Sequence, residues 1–152
     1  MSLLALSAVA ATCLAPTDST GARDQYDAYA IRSLEIVSTA SSNMDAALND
    51  LIAEDAIFYV GAGDVGVPLG EGVAGAVALA ERLNAADFEY PGWDYMNHPQ
   101  DGCGEISVEI RFVETSGDAF TDMTFTYLNG LLTKASGWTR SRNAGKLSEV
   151  AQ

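Results

Sequence analysis

Two stretches of strict alternation constrain this chain more than anything else in it. From Glu105 to Glu114, Ile106, Val108, Ile110 and Phe112 fall on one side, with Ser107, Glu109 and Arg111 on the other. From Ala119 to Leu128, Met123, Phe125 and Tyr127 alternate with Asp122, Thr124 and Thr126. A period of two is the signature of a strand that buries one face. Ser116-Gly117 between them is a turn signal, so the pair reads as a β-hairpin. A two-residue turn sets the register: residues whose numbers sum to 233 face each other. Arg111 then stands opposite Asp122, and Glu109 opposite Thr124, about 5 Å apart at Cβ. Asn129-Gly130 is a second hairpin turn, and Leu131 to Arg140 returns as a last strand.

Upstream the period changes. Arg23 to about Ala40 reads as a helix, with Tyr26, Ala30, Leu34 and Val37 on one stripe. Ser41-Ser42-Asn43 caps a second helix, Met44 to about Ala53, whose buried side is Ala47, Leu48, Leu51 and Ile52. Ala56 to Val60 is a strand by composition, and Gly61 to Gly72 a glycine-rich loop containing Pro68. Val73 to about Leu83 is a third helix. Phe88 to Tyr95 has strand character broken by Pro91-Gly92, and Asn97 to Gly104 is a loop holding the single histidine, His98. The order predicts an α+β fold, with three helices from the N-terminal half packed on one face of a curved, mostly antiparallel sheet. The 152 residues suit one domain. It is expected over 21–142, preceded by an apolar segment, 1–20, and followed by a polar tail, 143–152.

Charge narrows the partners. With 21 acidic and 8 basic residues the net charge is −13, which argues against binding nucleic acid or anionic lipid through phosphates. Leu3 to Ala15 has the length of a signal-peptide core, too short to cross a bilayer. No Lys or Arg precedes Arg23, so an export leader and an apolar arm packed on the domain both stay open. Location follows that choice, cytoplasmic or periplasmic. Ala10-Ala11-Thr12-Cys13 approaches a lipoprotein box, with Thr12 where a small residue belongs. Cys13 and Cys103 read as two separate thiols rather than a disulfide framework, Cys103 being structural. Nothing in the pattern suggests a metal site. Gly61-Ala62-Gly63-Asp64-Val65-Gly66 matches the dinucleotide fingerprint, but Pro68 and Gly70 delay the next helix, so no cofactor is expected.

Three phrases carry a resemblance: Leu51-Ile52-Ala53-Glu54-Asp55-Ala56, Gly70-Glu71-Gly72-Val73-Ala74-Gly75-Ala76-Val77, and Tyr127-Leu128-Asn129-Gly130-Leu131-Leu132. In this order they are similar to the NTF2-like superfamily, the cone-shaped domains that include ketosteroid isomerases, SnoaL-type cyclases, limonene epoxide hydrolases and scytalone dehydratases. The resemblance spans about Arg23 to Arg140. It implies a SnoaL-like domain with an apolar pocket and a homodimer. It also implies cofactor-free isomerase, dehydratase or cyclase chemistry on a small polyketide-, terpenoid- or steroid-like molecule. At the isomerases' general-base position this chain has Val60. Their acidic oxyanion donor falls near Thr124, and their helix tyrosine nearer Ile36 than Tyr29. The epoxide hydrolases' Arg-x-Asp pair is met by Glu109-Ile110-Arg111 in reversed order.

The candidate catalytic groups are therefore Asp122, Arg111 and Glu109, a carboxylate base tuned by arginine. Candidate ligand contacts are Tyr26, Tyr29, Phe58, Val60, Trp93, Ile110, Thr124 and Phe125. Two arrangements are open. Either the charged face of the hairpin lines the pocket, or the apolar face does and the charges meet solvent or a second subunit. The alternative function is a non-catalytic ligand-binding or dimerisation domain.

Overall fold

In the computed structural model, residues 12–42, 45–92 and 102–142 are described. The elements are α1 (Ala22–Ser41), a 3-10 turn (Asp45–Leu48), β1 (Ile52–Ala62), β2 (Val65–Glu71), α2 (Gly72–Leu83), β3 (Ala85–Gly92), β4 (Ile106–Glu114), β5 (Ala119–Leu128) and β6 (Leu131–Ser141). The strands make one curved sheet in the order β2-β1-β6-β5-β4-β3, antiparallel except for β1 beside β6. This is the expected α+β class, with two α-helices among the described residues rather than three.

The hairpin register is as the alternation requires. Arg111 pairs with Asp122, Glu109 with Thr124 and Ile106 with Tyr127. Asn129 (φ +52°) and Gly130 (φ +81°) turn β5 into β6, both central residues in the left-handed region that this tight reversal needs. Ile106, Val108, Ile110, Phe112, Met123, Phe125 and Tyr127 are all buried against the helices, so the apolar face is the inner one. Burial of that much apolar surface is the main force holding helix to sheet.

Two expectations fail locally. No helix spans 44–53. Leu48 and Ile52, the four-residue step that suggested one, are buried instead by a turn and by the start of a strand. The Leu51 carbonyl accepts the Leu132 N–H, and Ile52 is the partner of Leu132 across β1 and β6. Sheet pairing thus takes up the backbone groups that a short helix would have used. The stretch 61–72 is not an open loop either. The chain reverses at Gly63-Asp64 and β2 pairs back onto β1, with Pro68 opposite Tyr59 beside a bulge at Phe58/Tyr59. Proline and glycine suit this strand because it lies at the sheet edge. No helix begins within the glycine motif, since α2 starts at Gly72.

The cysteines are a further correction. Cys13 and Cys103 form a disulfide, with Cα atoms 5.7 Å apart and a sequence separation of 90. Spacing could not reveal it, because the N-terminal arm reaches Cys103 only through the finished fold. Leu14 N–H donates to the Asn129 carbonyl, and Asn129 N–H donates to the Cys103 carbonyl, which brings arm, turn and β4 entry together.

Candidate functional site

The sheet separates the candidate residues into two groups. On the outer face, away from the helices, Arg111 meets Asp122 through two parallel hydrogen bonds, Nε to Oδ1 at 2.7 Å and Nη2 to Oδ2 at 3.2 Å. Glu89 Oε2 lies 3.7 Å from the same guanidinium, and the Phe120 ring sits beneath it with its centroid at 4.4 Å. The Asp122 hydrogen bond raises the arginine's pKa, burial opposes it, and the charges of Asp122, Glu89 and Glu109 add to the rise. Glu109 is exposed and Thr124 half-buried on this same face. Trp138 opposes Asp122, and its ring lies over Gly61, where a Cβ would collide with it. Lys134 approaches the Tyr59 ring at 5.7 Å. A polar depression of about 230 Å³ runs between Tyr59, Glu109, Asp122 and Arg140. An apolar cleft of about 380 Å³ adjoins it at Ile57, Tyr59 and Pro68.

The inner face holds neutral chemistry. Phe58, Val60, Ile110 and Phe125 are core residues, no more than 1% exposed. Tyr26 and Tyr29 are buried on α1, and the Tyr29 and Tyr127 rings lie with centroids 4.7 Å apart, tilted by 43°. Ser33 Oγ donates to the Tyr29 carbonyl and shares a 2.6 Å hydrogen bond with the Tyr127 hydroxyl. The Tyr29 hydroxyl donates to the Gly102 carbonyl. Burial raises the Tyr127 pKa well above 10, against lowering by the Ser33 hydrogen bond and Arg32. Burial, with Asp27 and Tyr26 adding to it, pushes the Tyr90 phenol up to about 12. Among the described residues, Gln25 Oε1 and the Tyr90 hydroxyl are buried with no hydrogen-bond partner. Among the described residues the buried polar side chains are Gln25, Ser33 and Thr121, and none is charged.

Of the expected catalytic trio, then, Arg111 and Asp122 are joined and Glu109 is close in register, but all three lie across the sheet from Phe58, Val60, Ile110 and Phe125. Thr124 sits with the trio, not in the core. Tyr26 and Tyr29 do meet the inner residues. Trp93, like Asp94, Tyr95 and His98, lies outside the described residues. Gln25, Ser33 and Tyr90 escaped sequence reasoning. The four-residue step from Tyr29 to Ser33 was the available signal, since it places both on one helix face. Among the described residues no group of three His, Cys, Asp or Glu could hold a metal ion, and no helix is long and apolar enough to cross a membrane.

This arrangement, two helices on a curved six-stranded sheet in which β1 runs parallel to β6, has solved counterparts. An NTF2-like protein of unknown function from Silicibacter pomeroyi DSS-3 superposes with a TM-score of 0.50 at 12% identity, over 79% of this chain and 98% of that one. The fold is NTF2-like. A cystatin-like-fold protein from the same organism gives 0.49 at 18% identity, over 79% of both chains. An NTF2-like protein of unknown function from Burkholderia xenovorans LB400 gives 0.47 at 16%, over 87% of this chain and 98% of that one. No protein-family model and no curated protein matches the chain. At such identities an NTF2-like likeness speaks for architecture and not for a reaction.

Proposed function

We propose that this chain is a non-catalytic domain of NTF2-like fold that self-associates through the outer face of its sheet. One observation carries the reading: the described residues divide into a buried, uncharged inner face and a mixed-charge, aromatic outer face. Acid–base chemistry on an apolar molecule near neutral pH is best served by a carboxylate or imidazole beside the apolar lining. The titratable groups on the described inner face are phenols, and burial raises the pKa of Tyr90 and Tyr127. Glu109, Arg111 and Asp122 stand on the opposite side, where Arg111 and Asp122 are already bonded to each other.

The occupant is argued from charge and composition. At −13, two copies repel over most of their surface. The outer face is where cations gather beside carboxylates: Arg111, Lys134 and Arg140 with Glu89, Glu109 and Asp122. Under a two-fold axis such a patch is self-complementary. It also carries Trp138, Tyr59 and Arg111, the residue types enriched at protein interfaces. Sedimentation equilibrium at micromolar concentration tests this. The expected mass is twice the 16.0 kDa of the chain. Trp138→Glu should return the monomer. A wild-type monomer would overturn the reading.

A second reading has its own observation. Gln25 Oε1 and the Tyr90 hydroxyl, buried and unpartnered, could meet a small neutral molecule with an apolar body and a hydroxyl or carbonyl group. Melting with and without a terpenoid or steroid ketone checks it. A rise in Tm lost in Gln25→Leu supports it, and no shift with any such compound removes it.

A further inference from the structure

The end of the core where Tyr29, Ser33 and Tyr127 meet is covered by a segment that belongs to neither helix nor sheet. Residues 12–20 have no regular structure. Leu14 N–H donates to the Asn129 carbonyl, and Arg32 Nη1 donates to the carbonyls of both Leu14 and Gly130. Further along, Gln25 Nε2 donates to the Ser19 carbonyl at 2.8 Å. The body is shaped to receive this segment. A Cβ on Gly130 would collide with the Leu14 backbone, and one on Gly102 would lie 3.5 Å from Ala15 Cβ and from Gln25 Nε2. Beneath it Gln25, Tyr29, Ser33 and Tyr127 are each 0% exposed.

The covalent tie differs in kind from these contacts. Leu14 is 42% exposed, so the arm's large apolar side chain there anchors it weakly. Cys13 and Cys103 are both half-buried, so an external thiolate can reach the bond that joins them. Segments with few buried apolar contacts open at low free energy once a constraint is removed.

We propose that residues 12–20 are a thiol-gated strap over the tyrosine end of the core, closed while Cys13 and Cys103 are joined and released when a dithiol reduces them. The step balances. One thiolate of the dithiol attacks a cystine sulfur, forming a mixed disulfide and expelling the other cysteine as a thiolate, which takes up a proton. The second thiol of the reductant then displaces the first cysteine. Two electrons pass to the protein, two cysteine thiols result, and the reductant leaves as its own disulfide. Release frees the Gln25 amide, whose Nε2 the Ser19 carbonyl of the strap now holds. Two consequences follow. Cys13, as half of a cystine, has no thiol left for a lipid thioether. The closed form persists only in an oxidising compartment.

Hydrogen exchange by mass spectrometry on the full chain tests the strap, with and without dithiothreitol and in Cys13→Ser. The unreduced protein should contain no free thiol and should protect the Leu14 amide. Reduction, and Cys13→Ser equally, should speed exchange in 12–20 by about tenfold or more, while amides of β4 to β6 keep their protection. Unchanged exchange in 12–20 after reduction would overturn the proposal, because the hydrogen bonds alone would then hold the arm. Loss of protection throughout β4 to β6 would overturn it too, since the bond would then support the whole fold. Free thiols in protein folded under oxidising conditions would be equally fatal. None of these outcomes depends on self-association or on a bound ligand.

Discussion

The two faces of β4 and β5 are made by the same two strands, of 9 and 10 residues, yet they obey different rules. Inside, Phe125 and Ile110 are wholly buried, and the polar groups on that face are uncharged, Ser33 and Tyr127 sharing a hydrogen bond. Outside, Thr124 and Arg111 sit one residue away, half-exposed, among carboxylates and aromatic rings. A side chain's place on one strand thus separates a group that holds the fold from a group that can meet a partner. The difference explains why carboxylates suited by type to acid–base chemistry stand across the sheet from the apolar residues.

The comparison can be broken most forcefully from the inside. Phe125→Ala should lower unfolding free energy by about 3–5 kcal/mol, because a wholly buried ring leaves a cavity. Thr124→Ala, its neighbour on the outer face, should stay within about 0.5 kcal/mol. Urea denaturation of the pair measures the contrast, and equal losses would mean the faces are wrongly assigned. Next in size is Ser33→Ala, which strands the buried Tyr127 hydroxyl and should cost about 1–3 kcal/mol. Tyr127→Phe in the same background should recover part of that loss.

Alkaline titration sharpens the comparison further. Tyr90, at about 12, and Tyr127, higher still, keep their protons in the folded state where a free phenol near 10 loses its own. The unfolded chain therefore binds fewer protons above pH 10. Stability should be intact below about pH 10 and fall as pH rises toward 12. Absorbance of the phenolate band should show these two of the six tyrosines ionising late, with unfolding. All six titrating together near 10 in folded protein would contradict the burial described. The smallest effect belongs outside. Arg111→Ala breaks a partly exposed ion pair and should cost the monomer at most about 1 kcal/mol. Its larger consequence should be weaker self-association.

Much of this was legible in the sequence, and the reasons are local. Ser116-Gly117 and Asn129-Gly130 set the hairpins, so the Arg111–Asp122 and Glu109–Thr124 pairs followed from counting. The apolar side of Ile106 to Phe112 showed that one face is buried, while the direction of the charged face stayed open until the helices were in place. What was hidden depends on contacts between distant residues. Ile52 joins β6 rather than a helix, because Leu132 offers it a backbone partner 80 positions downstream. Cys13 and Cys103 come together from 90 positions apart, beside the hydrogen bond of Leu14 N–H to the Asn129 carbonyl. Ser33 resembled any helix-surface serine until Tyr127 arrived opposite it.

Hydroxyl-radical footprinting across protein concentration tests the central claim most directly, because it reads both faces in one sample. Trp138 and Tyr59 should lose labelling as concentration rises and the outer faces pair. Phe88, 49% exposed and paired with the inner residue Phe112, should be labelled alike at every concentration. Labelling of Trp138 and Tyr59 that does not change with concentration would contradict the account.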